Sequence, residues 1–439
     1  MNVALVKSDM TQPQDRLFIG ARARLPGAGP VAKVREEAFG DFLRLGLPHR
    51  RLEQWKYTDL RARLREVAPL ADAPADTNLA GAGAVLKTLA ADGIKLVLVD
   101  GVFVASLSTS GANVSGLRIR SLRDALDDAT GAKREELLKI ASGEAMQSLT
   151  VAMATDGVVI EVADGAEIGA PLQIVHVATR SESSTFTRSV LTIGRKARVT
   201  LVERFVAAPE ATTYQTYDAL AVHVGDGAEL QHVRLMEEAL DAVNICNASL
   251  TLGAKAKVNS FNLTRGASIS RYQGAVTFAG EGGELATNGV NLLAGRRHGD
   301  TTLLVDHRAP GCLSRETFRS VLDQQGHSVF QGRIVVQPGA QKTDGKMMTR
   351  ALLLSDEAEI DNKPELEIFA DDVSCGHGAT AGALDETLLF YLRARGLPEP
   401  EAQVLLIEAF VGEAIESIAD DTLREIAVDA ARRWLAARD

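Results

Sequence analysis

A five-residue turn of small and charged residues recurs through the middle of this chain and leaves it few possible architectures. It reads Asp164-Gly-Ala-Glu-Ile168, Arg195-Lys-Ala-Arg-Val199, Asp226-Gly-Ala-Glu-Leu230, Ala254-Lys-Ala-Lys-Val258, Glu281-Gly-Gly-Glu-Leu285, Pro310-Gly-Cys-Leu-Ser314 and Pro338-Gly-Ala-Gln-Lys342. These seven copies start 27 to 31 residues apart, a period that marks a stacked repeat. Asp356-Glu-Ala-Glu-Ile360 reads as an eighth copy. Short alternating runs such as Val158–Val162, Val190–Ile193 and Ala219–Val224 separate the turns, with almost no helical pattern. Strand repeats that cannot bury an apolar face alone are covered by their neighbours, so a β-solenoid is predicted. Its small turn residues let the chain round each corner. A β-sandwich with evenly spaced hairpins is the alternative.

On either side of this core the pattern is different. Residues 1–150 form a mostly helical N-terminal domain, 151–380 the β-helix core and 381–439 a C-terminal helical domain. In the first, Val34–Leu47 reads as a helix with Phe39, Phe42 and Leu43 on one side, ending near Gly46 and Pro48. Leu96–Val104 reads as two short strands about an Asp-Gly turn. Ser121–Met146 has helical spacing, with Leu122, Leu126, Leu137, Leu138 and Ile140. The Ala-, Asp- and Pro-rich stretch Ala68–Gly83 reads as a flexible connection. Beyond Gly382, helices are predicted at Leu384–Arg395, closed by Gly396 and Pro398, and at Pro400–Ile418. A third opens on a Thr422–Glu425 capping box. Three short apolar helices can cap a solenoid, dock a partner, or do both.

Bulk properties exclude several roles. With 58 acidic against 48 basic side chains, the chain has no electrostatic reason to bind nucleic acid. No run of about 18 apolar residues predicts a membrane span. Met1–Arg16 lacks an apolar signal region, which points to the cytoplasm. The three cysteines, Cys246, Cys312 and Cys375, are odd in number and far apart, which suits reduced thiols. There is no phosphate-binding G-x-x-x-x-G-K-[ST], no C-x-x-C, no H-E-x-x-H and no G-x-S-x-G. A protein of this size with no complete site in its sequence often works as part of a complex.

What remains is Cys375-Gly376-His377. On a strand, residues two apart share a face, so a thiolate and an imidazole would stand together, suited to iron, zinc or copper. Two donors do not close a tetrahedral site. Read from the residues alone, two accounts stay open: half a metal site, or a buried small cysteine beside a strand-edge histidine. His307 and Cys312 are a weaker pair. His176, His223 and His232 lie in strand runs and read as structural, His298 beside Arg296 and Arg297 as a solvated loop residue, and Cys246 as core.

The segment Ala370–Glu386 with Leu389–Gly396 closely resembles the SufB/SufD family. Lys363–Ile368, Ala340–Asp344, Val329–Ile334, His307–Cys312 and Leu47–Leu60 are also similar to it. The His377-Gly-Ala-Thr380 form looks like the SufD branch rather than the SufB branch. The resemblance implies a right-handed parallel β-helix between N- and C-terminal helical domains. It also implies pairing with a SufB-type paralogue through the β-helix, and docking of a SufC-type ABC ATPase on the C-terminal helices, so that ATP acts through that partner. His377 would bind a transient Fe–S cluster at the shared interface, with Cys375 as a second candidate and no cluster stably held by this chain alone. A homodimer when isolated, a SufB-type scaffold, and a carbohydrate-active β-helix enzyme are the alternative outcomes.

Overall fold

A computed structural model describes residues 12–437 apart from 65, 90–91, 110–113, 129–132 and 140–143. The N-terminal helices are α1 (Gln12–Ala21), α2 (Pro30–Leu45), α3 (Leu60–Arg63) and α4 (Asp76–Thr88). Strands β1 (Ile94–Val99), β2 (Val102–Phe103) and β3 (Leu117–Ser121) follow, then α5 (Leu122–Asp127) and α6 (Ala145–Met153). The solenoid strands are β4 (Val158–Val162), β5 (Leu172–Ala178), β6 (Ser184–Ile193), β7 (Arg198–Ala207), β8 (Gln215–Val224), β9 (Glu229–Glu237), β10 (Val243–Leu252) and β11 (Lys257–Thr264). They continue as β12 (Ile269–Phe278), β13 (Glu284–Leu293), β14 (His298–His307), β15 (Leu313–Leu322), β16 (His327–Val336), β17 (Asp344–Leu353), β18 (Glu359–Ile368) and β19 (Ser374–Gly382). Helices α7 (Glu386–Arg393), α8 (Glu399–Ile415) and α9 (Asp421–Ala436) close the described chain.

The strands alternate between two sheets. One runs β19-β17-β15-β13-β11-β9-β7-β5-β1-β2 and the other β18-β16-β14-β12-β10-β8-β6-β4-β3. From β4 onward every pairing is parallel and joins strands one coil apart. This is the predicted β-solenoid, with coils of two strands each.

The recurring turn is the corner from one sheet to the other. The second residue of the first six copies takes the left-handed conformation, at Gly165, Lys196, Gly227, Lys255, Gly282 and Gly311, and in the longer seventh turn the last residue, Lys342, takes that place, with φ from 55° to 69° throughout. Each of these N–H groups donates to a carbonyl of the following coil, on Arg195, Asp226, Ala254, Glu281, Pro310, Gln341 and Asp372, at 2.7 to 3.0 Å. The third residue faces the core and is small: Ala197, Ala228 and Ala256 are fully buried, and so is Cys312. At Gly283 a Cβ would meet the Phe278 ring at 2.8 Å. Cys312 is thus one rung of a small-residue ladder, and its thiol turns to the carbonyls of Gly280 and Pro310. The stretch Asp356–Ile360 is not part of this ladder. It joins β17 to β18 at the opposite corner, and the eighth rung is Ala370–Val373, where Asp372 accepts from Lys342. Its offset of 18 residues from Pro338, against 27 to 31 for the others, is the sign of the other corner.

The helices cover the flanks. Phe39, Phe42, Met146 and Leu149 of α2 and α6 pack on Phe186, Tyr217 and Ile245 of the nine-stranded sheet. Helix α2 stops at Gly46, φ 69°, as predicted. The Asp100-Gly101 turn joins β1 to β2, and β1 pairs in parallel with β5, lengthening the ten-stranded sheet. The expected helix over Ser121–Met146 is instead broken into α5, a 3₁₀ turn at Arg134–Leu138 and the start of α6. Its Leu122, Leu126 and Leu138 are buried, while Ile140 lies outside the described residues, as do the first 11 residues of the leading segment. Ala68–Gly83 is not a free linker. Ala71 donates to the Ser184 carbonyl at 2.8 Å, and α4 begins within it. Its Ala content favours helix, and its backbone groups find partners on the solenoid.

At the other end, Ile407, Val411, Ile415 and Trp434 of α8 and α9 lie over Val233, Leu235, Phe261, Leu263 and Val290 of the ten-stranded sheet. Helix α9 is capped by Asp420, which accepts from Leu423, rather than by Thr422. Among the described residues no helix is long and apolar enough to cross a membrane. Because the corner ladder leaves no spare volume, Ala256→Leu should lower the unfolding free energy by about 1–3 kcal/mol, which urea denaturation would measure.

Candidate functional site

Strand β19 is the last in the ten-stranded sheet and β18 the last in the nine-stranded one, so each leaves one edge of backbone groups without a strand partner. Cys375 and His377 sit on β19 in register with Gly345 and Met347 of β17. Gly345 and Met347 are buried, and Met347 belongs to the core between the sheets. Side chains two apart on a strand share a face, so Cys375 and His377 occupy the inward positions of the last coil. No further coil covers them. His377 is exposed, while Cys375 is half-buried against the core.

Burial pushes the Cys375 thiol up, and the Gly345 backbone beside it only partly offsets that. In the isolated chain it is therefore a neutral thiol, and a metal or a nearby cation would be needed to draw off its proton. Beneath His377 the row continues through Met347 to Glu316 of β15. Burial drives the Glu316 carboxyl up to about 8, with the Ser314 hydroxyl as the chief counterweight.

The remaining candidates resolve differently. Cys246 is core, its thiol donating to Asn244 at 2.9 Å. His176 stacks on Phe205 inside the solenoid and burial lowers it to about 4, so it is neutral. His232 lies 2.8 Å from the Glu203 carboxylate in the same interior. His223 is exposed on the outer surface. His307 meets the Ser314 hydroxyl at 3.0 Å rather than Cys312. His298 corrects the sequence reading: it is buried as the first residue of β14, because the turn at Gly295 and Arg296 ends before it. Among the described residues, the groups of three or more donors near enough to share an ion are His176, Glu203 and Asp218, and His327, Glu359 and Asp361. Neither contains Cys375 or His377.

The fold is thus a parallel solenoid flanked by helices, with two open strand edges beside a thiol and an imidazole. Residues 27–174 match the SufBD protein N-terminal region, and residues 176–410 match the SufBD core domain of the SUF system for FeS cluster assembly. The chain belongs to the SufBD family of iron–sulfur cluster assembly proteins. It is 32% identical over 391 residues to the iron–sulfur cluster assembly protein SufD of Escherichia coli, covering 87% of this chain and 88% of that protein. It is 28% identical to an iron–sulfur cluster assembly SufBD family protein of Synechocystis, over 85% and 84% of the two chains. The SufD protein of Bacillus subtilis is 25% identical over 62% and 63%.

A carboxyl whose folded pKa lies above its ordinary 4.5 stabilises the fold less as pH rises between those two values, since only the unfolded chain gives up the proton there. Glu316→Gln removes that group. Its stability relative to the parent should therefore grow from about pH 5 to about pH 8 and then level off, by up to about 1.4 kcal/mol per pH unit. Thermal melts across that range test it, and a difference independent of pH would contradict it.

Proposed function

We propose that this chain is the SufD-type, non-catalytic subunit of a cytoplasmic SufBCD complex, with the SufB-type subunit joined at the open end of the solenoid. The observation that carries this reading is the uncovered end itself. Two strand edges, the exposed His377 and the apolar side chains Ile368 and Phe369 all face out there, Phe369 at 60% exposure. A second solenoid laid across that end would satisfy the edges, cover the apolar residues and bring further donors to Cys375 and His377. The cluster is cargo assembled across the two chains, with the imidazole as a neutral donor and a thiolate arriving from the partner.

The SufC-type ATPase docks on the C-terminal helices, 381–439. Helix α7 is the part of that domain least covered by the solenoid. Its Leu388, Phe390 and Tyr391 are 50%, 72% and 51% exposed, a patch of the kind that marks a protein interface. Nucleotide-driven motion of the ATPase would then pull on the helices that follow β19 directly.

Two variants separate the two roles. His377→Ala should keep its fold by circular dichroism and still co-purify with the paralogue and the ATPase, yet lower the activity of cluster-dependent enzymes in cells several-fold. Normal enzyme activity in that strain would sink the assignment of His377. Phe390→Asp should cost about 2 kcal/mol or more of ATPase binding, seen as loss of that subunit alone from the co-purified complex.

A further inference from the structure

On the outer face of the nine-stranded sheet, three consecutive coils carry their first strand residue in one row: His298 of β14, His327 of β16 and Glu359 of β18. Asp361 follows two positions along β18, on the same face. Thr58, from the segment before α3, closes over the buried end of this row. Hydrogen bonds link Thr58, His298, His327 and Asp361 in turn.

Asp300 is ion-paired to Arg271 and accepts the Thr58 hydroxyl hydrogen. A hydroxyl has one hydrogen to give. At His298 Nε2, 2.8 Å away, the Thr58 oxygen is therefore the acceptor and Nε2 carries the hydrogen. His298 Nδ1 faces His327 Nδ1 at 3.2 Å, so one of these two nitrogens bears the hydrogen and the other accepts it. That contact leaves His327 Nε2 to face the Asp361 carboxylate, 2.9 Å away. An N–H hydrogen or a metal ion can bridge that gap. Glu359 also brings a carboxylate oxygen within 4.8 Å of both.

From this we infer that His327 Nε2, Asp361 and Glu359 form a binding site for a first-row divalent metal ion, distinct from Cys375 and His377. When no ion is bound, His327 Nε2 and Asp361 are joined directly by a hydrogen bond. One imidazole and two carboxylates suit Fe(II), Mn(II) or Zn(II) and leave coordination positions for water. The two carboxylates bring two negative charges, and Arg63, whose charge reaches Glu359, returns one. Glu359 is exposed and Asp361 and His327 are half-buried on the last coils, so an ion can enter from solvent. The chain from His327 through His298 and Thr58 to Asp300 holds the ligand in one tautomer, as outer partners of metal-bound histidines do.

The test is anaerobic titration of the purified full-length chain with Co(II), read by its visible absorption, and with Fe(II), read by calorimetry. The His377→Ala, Cys375→Ser double variant should bind as the parent does, which keeps this site independent of the proposed cluster function. His327→Ala should lose the ion, and the surface change Asp361→Asn should weaken it by about tenfold or more, both with unchanged circular dichroism. Thr58→Val should weaken binding by about 10- to 100-fold through the tautomer alone. A parent chain that takes up no ion, or His327→Ala and Asp361→Asn chains that bind as tightly as the parent, would overturn the site. Binding lost only in the double variant would overturn it as well.

Discussion

The corner hydrogen bond from a left-handed turn residue to the next coil is the constraint on which this structure rests. Strand pairing alone fixes the spacing of coils but not their lateral alignment, since parallel strands can slip by two residues and keep the same faces. The corner removes that freedom. One N–H per coil, held at positive φ, reaches one carbonyl in the coil that follows, from Gly165 through Lys342. Every row of inward and outward side chains is then in register with its neighbours. Glycine takes this conformation without strain, and the lysines at 196, 255 and 342 take it at a modest cost that the ladder repays.

Register is what turns a repetitive fold into one with sites. Inside, the row ending at His377 rests on Met347 and Glu316; outside, His298, His327 and Glu359 align across coils. Residues 29 and 32 apart in sequence thus meet as neighbours. The helices contribute differently. Helices α8 and α9 seal the flank of one sheet, and α2 and α6 seal the other. Among the described residues neither pair covers the strand edges at β18 and β19, so the end that holds Cys375 and His377 stays uncovered.

Much of this was legible in the residues. The turn period announced stacked strands, the helical tail was readable from its apolar stripes, and Cys375-Gly376-His377 stood out as a donor pair on one strand face. Besides the Ser121–Met146 helix and the Thr422 cap, three readings failed for physical reasons. Asp356–Ile360 has the composition of the corner turn but belongs to the other corner, since both corners need small residues. Ala68–Gly83 looked flexible because its partners, Ser184 among them, lie over 100 residues away. His298 looked solvated beside two arginines, yet the strand begins at it. The row with His327 and Glu359 escaped notice because its only trace is a spacing equal to the coil period, and that spacing becomes visible only once the period is treated as a ruler.

The position of His377 follows from a count of coils. It occupies the same row as Met347, which is buried only because one more coil lies beyond it. Add a coil after β19 and the imidazole becomes a core residue; remove β18 and β19 and the buried thioether becomes the exposed one. Most insertions in a repeat protein are absorbed as length. Here the number of repeats decides which side chain of the row stands uncovered, so duplication or loss of a single coil would change what the open end presents without altering any residue in it.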